Sequence, residues 1–296
     1  MRNFMKYIDI HCHLNFPDFD ADRDEAIKRA QEAGVGMIIV GTTRETSRRA
    51  VEIAESHENI WAIVGLHPIY AGEEDFDRDY YLQLARHDKV VGIGECGYDY
   101  YRAPVVTFDR QHAAFLGQIS IANEVGKPLM LHLRSGSALK EKPAPSTGAT
   151  GVNAYADALV ALQRFHADHD AHPKVIGDAH FFAGTVEEAK AFLDLGFYIS
   201  CTGVVTFARS YDDVIRSVPL DRLMCETDAP YVTPVPYCGE RGNGRGKTDG
   251  KKCVPVRNEP LFVTAIAHKI AEIRGEPESV VLPALVENAK RLFKLK

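Results

Sequence analysis

Short apolar runs recur along the chain at Tyr7–Ile10, Gly36–Val40, Ile60–Val64, Val90–Ile93, Pro128–Leu133, Val175–Ile176, Phe197–Ser200 and Leu223–Cys225. Between them lie stretches whose apolar residues return every three or four positions. These are Asp22–Ala33, Arg44–Ser56, Asp79–Arg86, Phe108–Val125, Ala154–Asp168, Thr185–Asp194 and Tyr211–Val218, with a last helical region from Glu259. The first pattern reads as buried strands and the second as amphipathic helices. Strands separated by helices pair in parallel, because a parallel neighbour is reached only through a crossover. Eight such units in 296 residues predict a TIM-type (β/α)8 barrel, α/β in class, as a single domain over residues 1–296. Periodicity alone leaves an open doubly wound sheet as the alternative.

Two stretches break the rhythm. Residues 135–153, with Lys140-Glu-Lys-Pro-Ala-Pro-Ser-Thr-Gly, and residues 236–255 are rich in Gly, Pro and charge, and each follows a strand end. They read as inserted loops over the mouth of the barrel, where such folds keep their substrate-handling segments. Arg241-Gly-Asn-Gly-Arg245-Gly-Lys247, continued by Lys251-Lys252, is the most concentrated basic segment.

Composition narrows the class. Hydrophobic residues make up 45% and charged residues 26%, as in a soluble globular enzyme, and no window approaches a membrane span or a leader's apolar core. Six cysteines without regular spacing suit the reducing cytoplasm better than a disulfide framework, or the nucleus if the source is eukaryotic. The net charge of −6 excludes bulk electrostatic attraction to nucleic acid, so any preference for phosphate must be local. No P-loop is found, and no organic cofactor is expected.

Chemistry enters at the strand ends. Residues i and i+2 of a strand share a face, so His11 and His13 can reach one ion, while Cys12 between them turns into the wall. Glu95 ends the fourth run, His132 lies in the fifth, Asp178-Ala179-His180 ends the sixth, and Cys225-Glu226-Thr227-Asp228 ends the eighth. Parallel strands of a barrel present their C-terminal ends to one rim, so these distant residues converge there. Imidazole and carboxylate donors without thiolate suit a catalytic site for zinc, manganese or a similar ion.

These residues resemble the TatD-type metal-dependent deoxyribonucleases of the amidohydrolase superfamily, nearly end to end. The likeness rests on Asp9-Ile-His11-Cys-His13-Leu, Gly65-Leu-His67-Pro68, Gly94-Glu95-Cys-Gly97-Tyr-Asp99-Tyr-Tyr-Arg102, His132-Leu-Arg134, His180-Phe-Phe-Ala-Gly184, Glu226-Thr-Asp228-Ala-Pro230-Tyr and Arg257-Asn258-Glu259-Pro260. The terminal Asn288-Ala-Lys-Arg-Leu292-Phe293 also fits. It implies two divalent ions, zinc, magnesium or manganese: His11, His13 and Asp228 hold one, Glu95 bridges, and His132 with His180 completes the second.

The implied activity is hydrolysis of DNA phosphodiester bonds, including 3′-to-5′ exonuclease action on single strands or 3′ ends. Asp228 is expected to orient and deprotonate the attacking water, and His67 and Arg134 to meet the phosphate. Tyr98, with Tyr100 and Tyr101, offers rings on which bases could stack. Three departures stand out: Ser135 replaces an acid common after the His-x-Arg segment, the two inserts are long, and Phe181 follows His180 where a smaller side chain is usual. Two rivals remain at this level. One is a metal-dependent amide or ester hydrolase of a small molecule, since the same ions polarise a carbonyl. The other is a non-catalytic nucleic-acid scaffold.

Overall fold

The computed structural model describes residues 5–136, 152–168, 175–237, 247–248, 251–252 and 256–295. Eight strands form one sheet in chain order: β1 (Tyr7–Cys12), β2 (Val35–Val40), β3 (Ile60–Val64), β4 (Val90–Asp99), β5 (Leu129–Arg134), β6 (Gly177–His180), β7 (Tyr198–Cys201) and β8 (Leu223–Cys225). Each runs parallel to the next, and a bridge between Cys12 and Ala229, the latter just past β8, closes the barrel. The helices are α1 (Arg23–Glu32), α2 (Arg44–Glu55), α3 (Arg78–Ala85), α4 (Phe108–Val125), α5 (Ala154–Asp168), α6 (Val186–Asp194), α7 (Asp212–Ser217), α8 (Val263–Arg274) and α9 (Glu278–Phe293).

The predicted architecture holds, with three local differences. β6 forms at Gly177–His180, just beyond the apolar pair Val175–Ile176, because its interior-facing residues are polar. β4 runs on to Asp99. The last helical region divides in two, since Gly275 takes φ 66° as the left-handed cap of α8 and Pro277 cannot donate a backbone hydrogen bond.

Strand alternation sorts the core into two layers. Met37, Ile39, Val64 and Cys96 face the helices, against residues such as Ile27, Ala54 and Phe115. Ile8, Ile10, Ile38, Val40, Ile63, Met130 and Met224 fill the barrel, joined by Val286, Leu292 and Phe293 of α9. The carboxamide of Asn288 fixes α9 beneath the barrel by donating to the carbonyls of Leu220 and Leu223 at the entry to β8 (2.7 and 2.8 Å).

Two strands depart from strict alternation. Ile10 belongs to the interior layer and Cys12 to the helix-facing layer, so strict alternation would turn His11 outward. A register irregularity between Asp9 and Cys12 brings it in. In β4, Gly94 pairs with interior Met130 and Cys96 with helix-facing Leu131, and the irregularity falls at Glu95 between them. Such bulges re-aim one side chain at the expense of one ladder position. A β-carbon on Gly97, at φ 130°, would come within 2.5 Å of the His132 carbonyl, so β4 and β5 approach here only because this residue is glycine.

The two inserts lie mostly outside the described residues, and so do Arg241 and Arg245. At the base of the first, Gly136 N donates to the Val152 carbonyl (3.0 Å) and Ala154 N to Ser135 Oγ (3.1 Å), so the chain leaves and returns at one point. In the second, Lys247–Thr248 and Lys251–Lys252 pair antiparallel. Among the described residues no helix is long and apolar enough to cross a membrane.

Candidate metal centre

The C-terminal ends of β1, β4, β5 and β6, and the segment after β8, bring all six expected ligands to one place. His11 Nε2 lies 3.2 Å from His13 Nε2, 3.3 Å from Glu95 Oε2 and 3.7 Å from Asp228 Oδ1. His13 Nε2 lies 3.4 Å from the same Asp228 oxygen and 3.8 Å from Glu95 Oε2. On its other oxygen, Oε1, Glu95 meets His132 Nδ1 at 2.8 Å, His67 Nε2 at 3.3 Å and His180 Nε2 at 3.5 Å. One carboxylate thus stands between two sets of imidazoles, as a bridging ligand must.

The contacts of each ring's outer nitrogen, read from heavy-atom positions, show which nitrogen faces inward. His13 Nδ1 lies 2.9 Å from the Val40 carbonyl, which only accepts, so Nδ1 carries a proton and Nε2 is the nitrogen that faces the other donors. His180 Nδ1 lies 2.9 Å from Glu226 Oε1, which leaves Nε2 of that ring facing Glu95, and the ring stacks on His11 at 3.7 Å between centroids. Imidazole nitrogens and carboxylate oxygens turned to one buried space make up the donor set of a cation site. Three groups of donors have ligand atoms within 4.8 Å of one another: His11, His13 and Asp228; His11, His180 and Glu226; and His67, Glu95 and His132.

His67 differs from the others. Its Nδ1 accepts from the backbone N–H of Ile69 (3.0 Å), so its proton is on Nε2 and it faces Glu95 as a donor. Burial and the neighbouring His132 push its pKa down to about 4. In this structure that N–H faces Glu95 Oε1 at 3.3 Å.

Electrostatics support a cation site. Burial favours the neutral form of Glu95, yet His67, His11 and His180 hold it well below the usual carboxylate range. Asp228 is likewise lowered against burial by its hydrogen bond from His13 and by His180 and His11. Burial depresses His180, but Glu226 and Glu95 outweigh it and raise its pKa to about 10. Ionised carboxylates in a pocket this buried call for positive charge beside them.

Two residues that stood in the motifs without a role, Glu226 and Asp99, lie directly behind the expected ligands. Glu226 accepts from the Phe181 N–H (2.7 Å) and contacts both His180 Nδ1 and His11 Nδ1, the latter at 4.0 Å. Asp99 Oδ2 lies 3.2 Å from His132 Nε2, leaving Nδ1 of that ring for the centre. Carboxylates behind ligand imidazoles fix their rotation and tautomer. The available signal was periodicity: Asp99 shares the inward face of β4 with Gly97, and Glu226 that of β8 with Met224.

Further bracing surrounds Asp228, whose backbone is left-handed at φ 54°. Its N–H donates to the His11 carbonyl (2.9 Å), and Asp9 accepts from Thr227 N and Oγ1 (2.8 and 2.6 Å). Asn258, fully buried, donates to the carbonyls of Thr227 and Tyr231 (2.9 and 2.5 Å).

Tyr98 is corrected. It lies on the opposite face of β4 from Asp99, fully buried against Phe115 of α4 and hydrogen-bonded to His112 Nδ1 (2.6 Å), so its ring cannot meet substrate. Tyr100 faces the same way, its hydroxyl donating to Asp157 (2.9 Å). Tyr101, beyond the strand, is exposed, and the guanidinium carbon of Arg134 lies 4.3 Å from its ring centroid. Stacking leaves the guanidinium's N–H edge in its own plane, where it can still meet a phosphate.

Comparison with known proteins agrees with this geometry. The chain is 34% identical over 293 residues to the uncharacterized metal-dependent hydrolase YabD of Bacillus subtilis, covering 97% of this chain and 98% of that one. It is 33% identical over 295 residues to the 3′-5′ ssDNA/RNA exonuclease TatD of Pantoea ananatis, covering 97% and 99%. Among solved structures, the TatD homologue YjjV of Escherichia coli superposes with a TM-score of 0.75 at 28% identity, over 99% of both chains. Residues 8–294 match the family described as TatD related DNase, and with the barrel and its donor set in place the chain belongs to that family as a metal-dependent hydrolase.

Proposed function

We propose that this protein hydrolyses phosphodiester bonds of DNA, working inward from single-stranded 3′ ends inside the cell. The observation that carries the reading is the bridging position of Glu95 between two clusters of imidazoles. A carboxylate so placed would let the two clusters hold a pair of ions, the arrangement that suits phosphoryl transfer. His11, His13 and Asp228 would hold one divalent ion and His132 with His180 the other, of zinc, magnesium or manganese type. When bound, these ions supply positive charge to the phosphoryl oxygens and acidify water at neutral pH.

The chain's own groups complete the chemistry. His67 Nε2–H donates to a phosphoryl oxygen, and the edge of Arg134 reaches a second one. Asp228, held ionised, accepts the proton of the attacking water as its oxygen bonds to phosphorus and the ester oxygen departs. The buried walls keep these groups pre-oriented, so little reorganisation accompanies charge development.

A time course on single strands labelled at the 3′ or the 5′ end, run beside small amides and lactones with and without chelator, tests the proposal. Shortening from the 3′ end that stops on chelation is expected. Cleavage of an amide or lactone with every strand left intact would transfer the site to the small-molecule hydrolases. DNA retention that chelator does not alter, without cleavage, would mark a scaffold.

A further inference from the structure

We infer that two exposed tyrosines on opposite sides of the mouth, Tyr101 and Tyr231, are stacking platforms for nucleobases on either side of the phosphate held at the metal centre. The inference rests on the nuclease reading above. It adds how the strand is gripped and why a duplex is refused.

Tyr101 and Tyr231 are exposed by 60% and 51%, whereas Tyr81, Tyr98 and Tyr100 are almost wholly buried. Tyr101 follows β4 and is stacked by Arg134 of β5; Tyr231 follows β8 and presents its ring to His13, just past β1, at 6.4 Å between centroids. In an eight-stranded barrel closed in chain order, the β4–β5 side and the β8–β1 side are diametrically opposed. The centre lies between them.

The backbone of each tyrosine is also tied to the centre. The Tyr101 N–H donates to Asp99 Oδ1 (2.9 Å), and the other oxygen of that carboxylate contacts His132. The Tyr231 N–H donates to the Asp228 carbonyl (2.9 Å), and Asn258 holds the Tyr231 carbonyl from behind. Large apolar rings fixed in the open, one with a guanidinium over its face, gain most by covering that surface with another flat π-system. Bases of a single strand can turn out to do so, whereas bases in a duplex are already stacked on one another.

The test uses the full-length, metal-loaded protein with Tyr101→Ala, Tyr231→Ala and the matching Phe variants. Substrates are single strands with an abasic site at the 3′-terminal or an inner position. In the wild type, each abasic site should raise KM by about tenfold or more. Each Ala variant should lose sensitivity to the abasic site at one position and keep it at the other, and each Phe variant should restore it. Binding of the same strands in chelator, read by fluorescence anisotropy, should show the same pairing of ring and position.

If both Ala variants respond to abasic sites as the wild type does, the platforms are wrong while the nuclease reading stands. If the wild type cuts none of the strands, the nuclease reading fails and takes the platforms with it.

Discussion

At the floor of the barrel, Ile8, Tyr198 and Met224 pack against Leu292 and Phe293 of α9; at the mouth, His11, His13, Glu95 and His180 are as deeply buried, none of them above 5% exposure. Equal burial has opposite consequences at the two ends. Each apolar side chain taken from water at the floor contributes roughly 1.5–3 kcal/mol to folding. Each ionisable group at the mouth costs free energy until a counter-charge reaches it. The floor therefore stabilises a mouth that would not hold together on its own account, and the interior switches from one regime to the other within two or three residues of each strand.

Removing the bridge gives the largest effect that could break this contrast. Glu95→Ala should lower turnover on single-stranded DNA by about 10³-fold or more while circular dichroism and the melting temperature stay close to wild type. Wild-type turnover with metal supplied would remove Glu95 from the centre. Phe293→Ala should do the reverse, lowering stability in urea titration by about 3–5 kcal/mol with kcat per folded molecule retained. An inactive but fully stable Phe293→Ala protein would show that floor and mouth are not separable.

Smaller changes sharpen the comparison. Glu226→Gln keeps the shape behind His180 and His11 but weakens their fixation, so metal affinity by competition titration should fall about 10- to 100-fold. Unchanged affinity would leave Glu226 a bystander. At the outer rim, Arg257 holds Asp22 through paired contacts of 2.6 and 2.7 Å, and this hydrogen bond keeps the Asp22 pKa below its ordinary value. A carboxylate lowered on folding contributes stability above its unfolded pKa and loses it as pH falls through the folded one. Asp22→Asn should therefore cost about 0.2–1 kcal/mol at pH 7, since the pair is partly exposed, and progressively less as the pH falls through the lowered Asp22 pKa. Equal loss across that range would point to packing over Phe19 instead.

The parallel order of strands and the convergence of the six expected ligands were legible because both depend on strand ends, and strand ends are marked by where apolar runs stop. Face was harder. Alternation from Ile10 would send His11 outward, and only the bulge between Asp9 and Cys12 reverses this. Tyr98 was misread for a related reason: an apolar-aromatic run from Gly97 to Tyr101 hides which rings follow the inward parity of Asp99. Glu226 and Asp99 were in view within the family motifs but without a role, because a residue that holds a ligand from behind has no spacing rule of its own. β6 was placed early since Gly177-Asp178-Ala179-His180 is too polar to look like a strand until its neighbours are seen to supply the apolar side.

The neck formed by Ser135, Gly136, Val152 and Ala154 has a consequence for how the chain can be altered. Because the two ends of the insert are already joined, lengthening or shortening what lies between them changes closure entropy by only about 0.6 kcal/mol per doubling. β5 and α5 are therefore joined at the base of the insert by contacts that do not depend on its length.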